Sequence, residues 1–275
     1  MSVHAQTTLG PGDLAFTGYQ SDAPDGFSFV LLTDIEANTV LSFTERGWLS
    51  TGGFIGNTEG SFTLTFGSAY SCGDEFFADG TTNAAYVVND ESGSSAGTIA
   101  QSVTFQLSSS GDQVFAFQGS LANPTLIAAI HMNGVWNTEA TNGNTSTQPA
   151  ALMGNNSSIA ITPETDNAIF DCTPNSGTPD DLAIALTTLS NWSGSNAPGT
   201  INPSCGFSCL SSCTDPVLTS LSQNPSAPTC PNASVNILIN GTLNDGTGWY
   251  LRTGSDVGPV VNGPVNTTQF TVNPT

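Results

Sequence analysis

The sequence predicts an all-β protein: an antiparallel β-sandwich with one short helix, followed by a smaller β domain. Three observations support this fold class. Short apolar or alternating runs recur along the chain, separated by clusters of Gly, Asn, Asp and Ser. Only one segment carries helical signals. The chain has 275 residues, 37% of them hydrophobic, which is enough for one large core and one small core.

The predicted strands of the large domain begin near the N-terminus. Residues 13–19 alternate and precede a turn cluster at 21–26, and residues 27–32 form a largely apolar run typical of a buried strand. Further β-like runs are residues 39–44, 61–66, 84–88, 99–107, 113–117, 125–131 and 158–161. Many short strands with regular turn signals indicate an antiparallel sandwich.

One helix of about three turns is predicted after residue 178. Thr178 is a favourable N-cap, Pro179 suits the first helical position, and acids follow in the first turn. Apolar residues then recur at helical spacing, namely Leu182, Ala185, Leu186 and Leu189. We expect this helix to pack against a face or an edge of a sheet.

Composition divides the chain into four segments. Residues 1–5 are expected to be a signal-peptide remnant or vector-derived, because they end in a small-x-small pattern. Residues 10–196 are the β-sandwich domain, and 197–228 are a Cys/Ser/Pro-rich linker. Residues 229–275 are a partial β domain, with runs at 234–240, 248–252 and 267–272. We expect the chain to be the N-terminal portion of a longer tandem protein.

The charge balance excludes whole classes of partner. Acids number 22, the only cations are Arg46 and Arg252, and the formal net charge is −20. Binding to nucleic acid or to an anionic membrane surface needs several cations, so neither is expected. No run reaches the length of a membrane-spanning helix, so membrane insertion is not expected either.

The acids themselves have two interpretations: they bind calcium, or they keep the chain soluble by self-repulsion. The calcium candidates lie on two compact loops and are Asp22, Asp25, Glu164 and Asp166. Neither loop matches the EF-hand pattern. We expect no cofactor other than this calcium.

The cysteine count predicts disulfides and an exported protein, extracellular or at the cell surface. The six candidates are Cys72, Cys172, Cys205, Cys209, Cys213 and Cys230. We expect Cys72 to pair with Cys172 inside the large domain, and the other four to pair around the domain junction. The run from Cys205 to Cys213 also suggests a metal cluster, but such sites usually have tighter spacing and a nearby histidine, so disulfides are favoured.

Several segments resemble a known family. Residues 12–19 (GDLAFTGY), 29–35 (FVLLTDI), 43–48 (FTERGW), 111–118 (GDQVFAFQ) and 190–194 (SNWSG) are similar to the N-terminal β-rich domain of large secreted surface proteins of the Bacteroidota. Residues 230–234 (CPNAS) and 247–250 (TGWY) resemble the immunoglobulin-like repeats that follow in such proteins. The resemblance implies type IX secretion, and a role as an adhesin or as an appendage of a degradative enzyme. It implies no catalytic residues.

Catalytic chemistry is not expected from this sequence. It lacks lysine and has no Gly-x-Ser-x-Gly or His-Glu-x-x-His motif. His131 is expected to be a hydrogen-bonded sheet residue. Acid pairs are more simply explained by turns and by the helix N-terminus than by glycoside hydrolysis. Trp48 and Trp136 are candidates for stacking on a glycan, although core packing is the ordinary role of tryptophan.

The favoured function is therefore a non-enzymatic, extracellular structural or adhesive module of a cell-surface or filament-forming protein. The alternative is a lectin-like, carbohydrate-binding module attached to a secreted enzyme, and a hydrolase is the third hypothesis. Expected partners are other surface-protein subunits, copies of the same chain in a homopolymer, or extracellular glycans.

Overall fold

The computed structural model describes residues 6–56, 59–80, 86–197 and 204–210, together with five strands of the C-terminal part. It divides into two compact units, residues 1–210 and 211–275. The strands of the first unit are β1 Leu14–Gln20, β2 Gly26–Leu31, β3 Val40–Thr44, β4 Ser61–Phe66, β5 Glu75–Asp79, β6 Val87–Asp90, β7 Gly97–Val103, β8 Gln113–Ser120, β9 Asn123–His131, β10 Ser158–Ala160, β11 Asn167–Phe170, β12 Ser176–Gly177, β13 Trp192–Ser195 and β14 Ser208–Cys209. Its α-helix is α1, Pro179–Leu186.

Two six-stranded sheets make up the sandwich of the first unit. One has the order β13-β11-β1-β2-β5-β6, and its neighbouring strands are all antiparallel. The other has the order β10-β9-β8-β3-β4-β7, in which the short β10 runs parallel to β9. The predicted all-β sandwich with one short helix is thus confirmed.

Aromatic side chains fill the space between the sheets. Phe27 is fully buried, and its ring lies 5.0 Å from that of Phe43 and 5.7 Å from that of Phe16. The rings of Phe62 and Phe105 lie 6.0 Å and 5.9 Å from that of Phe27. Burial of large side chains from several strands is the main term that holds the two sheets together.

The predicted helix is present and begins where the sequence places it. Thr178 is the N-cap: its hydroxyl accepts a hydrogen bond from the backbone N–H of Asp181, and the Asp181 carboxylate accepts one from the backbone N–H of Thr178. Leu182 and Leu186 are buried in the main core. The helix spans eight residues, shorter than expected, and Leu189 falls in a separate 3₁₀ turn, Leu189–Asn191.

The disulfides differ from the expected pairing. Cys72 is bonded to Cys209, and Cys172 to Cys205, so the predicted Cys72–Cys172 bridge is wrong. Cys72 precedes β5 and Cys172 follows β11, and these two strands are separated by β1 and β2 in their sheet. Three strand spacings amount to about 14 Å, too far for one disulfide. Cys213 and Cys230 lie outside the described residues.

Residues 204–210 belong to the first unit and not to the linker in which the sequence places them. Both disulfides fix this segment, and its short strand β14 pairs with β12. Phe207 is buried and stacks on Phe170 at 5.9 Å. Gly73 has a positive φ of 99°, and a Cβ there would lie 2.8 Å from the Phe207 carbonyl oxygen, so this close approach requires glycine.

The described part of the second unit also consists of strands. They are β15 Leu218–Gln223, β16 Val235–Gly241, β17 Trp249–Arg252, β18 Val260–Val265 and β19 Gln269–Val272. β16 pairs with both β15 and β19 in a three-stranded antiparallel sheet of order β15-β16-β19, and β17 pairs with β18. The immunoglobulin-like identity of this unit stays a prediction.

Candidate functional site

A second, smaller apolar cluster lies on the outer face of the sheet that contains β8. Along β8, Val114 and Ala116 belong to the main core, whereas Phe115 and Phe117 point to the opposite face. The partly buried side chains that cover this outer cluster are Trp48, Phe54, Leu121 and Trp136. The segments that follow β3 and β9 therefore form a further layer over the sheet.

These two segments enclose a groove of about 630 Å³, here called the Trp48–Trp136 groove. Its lining residues are Trp48, Leu49, Ser50, Thr51, Gly52, Trp136, Asn137, Thr138, Thr147, Gln148, Ala150, Ala151 and Met153. The structure thus brings together the two tryptophans that the sequence marks as stacking candidates. Apolar walls with a few converging polar groups are typical of small-molecule sites.

Trp48 is fixed through its backbone. Its N–H donates to the Ser146 hydroxyl at 2.9 Å, and its carbonyl accepts from the N–H and the hydroxyl of Thr147 at 3.0 and 2.8 Å. The indole packs edge-to-face on Phe54, with ring centroids 5.0 Å apart. A Cβ on Gly47 would collide with the Thr145 carbonyl oxygen, so the two segments can approach this closely only with glycine there.

Trp136 is held from beneath by His131. The two rings stack with centroids 4.9 Å apart and planes 13° apart. His131 ends β9 and is fully buried, and its ring lies within hydrogen-bonding reach of the Asn137 side chain and the Val135 backbone. The expectation of a hydrogen-bonded sheet histidine stays a prediction. Burial lowers the pKa of His131 to about 4, and the side chain of Asn137 opposes this shift only in part. The imidazole under Trp136 is therefore neutral at physiological pH.

The polar part of the groove consists of hydroxyls and amides. Ser50 donates from its backbone N–H, at 3.1 Å, and from its hydroxyl to the Glu139 carboxylate. These bonds lower the pKa of Glu139 and keep it ionised beside the groove. The amide of Gln148 donates to the Ser158 hydroxyl at 3.0 Å. None of the described residues that line the groove carries a charge.

The loops with the calcium candidates lie next to each other. The backbone N–H and hydroxyl of Ser21 donate to the Asp166 carbonyl at 2.9 and 2.8 Å, and Asp22 accepts from Asn167 at 2.7 Å. Asp25 is buried and accepts from the Leu107 N–H at 2.9 Å.

Glu164 lines a different pocket of about 450 Å³, beside Trp192. The described structure does not gather three of the four candidate carboxylates into one cluster. Calcium binding at these loops stays a prediction.

A different acidic cluster, which the sequence did not reveal, consists of Glu45, Glu59 and Asp112. One oxygen from each lies within 4.8 Å of the others. Burial is the largest cause that raises the pKa of all three, and for Glu45 the pKa rises to about 8. Both oxygens of Glu45 accept backbone N–H groups, at 2.6 Å from Gly60 and 2.7 Å from Gln106. These contacts indicate a structural role for Glu45. They hold the backbone at Gly60, just before β4, and at Gln106, between β7 and β8, beside the end of β3.

Strand order explains why the acidic cluster was missed. Glu45 directly follows β3, and Asp112 directly precedes β8. Because Thr44 pairs with Phe115 across the two strands, these ends meet. Glu45 and Asp112 can be placed side by side only when the β3–β8 pairing is known, and nothing local in the sequence indicates that pairing.

Comparisons with known proteins give no relative: no family model, no curated protein and no solved structure matches the chain. The resemblance to Bacteroidota surface proteins therefore stays a prediction. Among the residues that the structure describes, no helix has the length and apolarity needed to cross a membrane.

Proposed function

We propose that this chain is a non-enzymatic adhesive module of an exported protein, and that it adheres by binding carbohydrate in the Trp48–Trp136 groove. The observation that supports it is the groove itself, in which two tryptophans from distant parts of the sequence form the wall among hydroxyl and amide groups. The two disulfides are compatible with export. On the sequence resemblance alone, we place the chain among large secreted surface proteins of the Bacteroidota type.

The physical basis is the amphipathic nature of a sugar ring. Its C–H face is apolar and packs on an aromatic ring, while its hydroxyls need hydrogen-bond partners. Trp48 and Trp136 offer the aromatic surface, and Asn137, Thr138 and Gln148 offer amide and hydroxyl groups in the same groove. Because Ser146 bonds both Trp48 and Asn137, the site is held in place before any ligand arrives.

Glycan-array binding tests this function. We expect a specific glycan signal that falls about tenfold or more in Trp48→Ala and Trp136→Ala, as for aromatic anchors in other binding sites. Trp136→Phe should retain part of the signal because it keeps an aromatic surface. Ile184→Ala, which removes a half-exposed side chain on α1, is the matched control and should bind like the wild type. Binding that survives both alanine variants, with their folds intact by circular dichroism, would refute the assignment.

A structural role in a filament is the second candidate. Strands β6 and β7 stand last in their sheets in the described structure, and each carries a partly exposed valine: Val87 is 41% and Val103 40% exposed. An edge strand with apolar side chains can pair with another subunit. Analytical ultracentrifugation should then show self-association that Val103→Glu abolishes. A monomer at all concentrations would argue against it.

A further inference from the structure

We infer that the ligand of the Trp48–Trp136 groove is an uncharged oligosaccharide, bound through at least two sugar rings, and that acidic glycans are rejected. This inference rests on the proposed carbohydrate function and adds the chemical class of the ligand.

The charge around the groove is negative. Among the described residues, the groove wall contains no charged side chain, and the Glu139 carboxylate is bonded to Ser50 of that wall. A uronic acid or a sulfated sugar would have to leave water without finding a cation, and that transfer is unfavourable. Repulsion from Glu139 and from the net charge of −20 would weaken its binding further.

The cations of the chain do not change this balance. Arg46 is the only one in the first unit, and its Nε donates to the Glu59 carbonyl at 3.1 Å. Its charge also stabilises the Glu59 carboxylate, whose pKa it lowers against the effect of burial. Arg252 belongs to the second unit. The one arginine of the first unit is therefore held beside an acidic side chain and does not line the groove.

The two indoles have different supports in the protein. Trp136 stacks on His131, so the protein covers one face of its ring, and Trp48 packs on Phe54. The groove that both line has a volume of about 630 Å³, which is within the range of sites for drug-sized ligands and larger than a single sugar ring needs. A saccharide that fills the groove and contacts both indoles is therefore expected to have at least two rings.

The experiment measures affinity for matched neutral and acidic hexasaccharides by isothermal titration calorimetry. Neutral probes are hexamers of glucose, mannose, xylose and N-acetylglucosamine. Acidic probes are hexamers of galacturonate, mannuronate and a sulfated galactan. We expect at least one neutral hexamer to bind, with an affinity that does not depend on ionic strength. The affinity of the corresponding monosaccharide should be weaker by a factor of about ten or more.

Variants link the binding to the groove. Trp48→Ala and Trp136→Ala should each weaken the neutral hexamer about tenfold or more, while Ile184→Ala, whose half-exposed side chain does not line the groove, should leave it within about twofold. Trp136→Phe keeps an aromatic ring stacked on His131, so it tests the role of the indole even if Trp136→Ala does not fold.

The outcomes separate the inference from the proposed function. An acidic hexamer that binds, and is lost in Trp136→Ala, would overturn the ligand class while the carbohydrate function stands. Equal affinity for the monosaccharide and the hexamer would overturn the two-ring requirement alone. If no saccharide binds and a neutral peptide does, both the inference and the carbohydrate function fail.

Discussion

Replacing Glu45 with glutamine should make the stability of the protein much less sensitive to alkaline pH. Glu45 is 2% exposed and lies in the cluster with Glu59 and Asp112. Burial raises its pKa to about 8, with smaller contributions from the negative charges of Glu59 and Asp25, while two backbone N–H donors oppose the rise. The folded protein therefore keeps a proton on Glu45 at a pH where the unfolded chain has lost it.

The sign and size of the effect follow from proton linkage. A carboxyl with a raised folded-state pKa gives its full stabilisation below about pH 4.5, and this is lost as the pH rises to about 8. At ~1.4 kcal/mol per pH unit, the difference between 4.5 and about 8 is equivalent to roughly 5 kcal/mol, of which about 4 kcal/mol is lost between about pH 5 and 9. Glu59 and Asp112 act in the same direction in the wild type, because their pKa values are raised as well.

Urea unfolding at several pH values from about 5 to 9 measures this. We expect the free energy of unfolding of the wild type to fall by about 4 kcal/mol more than that of Glu45→Gln over this range. The variant starts about 1–3 kcal/mol lower at pH 5, because a glutamine accepts only one of the two backbone hydrogen bonds. Glu91→Gln removes an exposed carboxyl in a turn and should follow the wild-type slope. Parallel pH profiles for the wild type and Glu45→Gln would refute the reasoning.

Three further outcomes are expected. Phe27→Ala leaves a cavity at the centre of the aromatic core and should cost about 3–5 kcal/mol in urea unfolding, and a cost below about 1 kcal/mol would contradict the packing described. Replacing Cys72 and Cys209 together by serine removes a bridge between residues 137 apart in sequence, within which the Cys172–Cys205 bridge remains, and should lower stability by up to about 5 kcal/mol under non-reducing conditions. No difference is expected once both proteins are fully reduced. His131→Phe should reduce acid sensitivity between about pH 6.5 and 4, because burial keeps the wild-type imidazole neutral and its stabilisation is lost as the pH falls through this range. Trp136 fluorescence follows this last transition, and an unchanged acid midpoint would count against a role for His131.

Much of the fold class could be predicted from local sequence. Apolar or alternating runs bounded by turn residues indicated β1, β2 and β3, which are almost entirely buried. Alternation indicated β4, because a half-buried strand imposes a two-residue period on its own sequence. The helix start was equally local: a capping box involves only Thr178 and Asp181, three residues apart. β5 and β11 were missed, since each is short and offers no clear period.

The candidate site was predictable only in part. The sequence marked Trp48 and Trp136 by residue type, yet it gave no reason for them to share one groove. They meet because β3 and β8 are neighbours and because β9 returns beside β8. The acidic cluster and the real disulfide partners depended on the same strand order, so local patterns could not reveal them.

The sequence by itself thus determined the kind of secondary structure, the single helix and the negative charge, all of which depend on residues close together in the chain. The tertiary structure alone decided which cysteines bond, which acids share a proton-binding cluster, and which tryptophans face a common groove. The physical reason is that an antiparallel sandwich builds its contacts between distant strands, and strand order follows from the packing of the whole core.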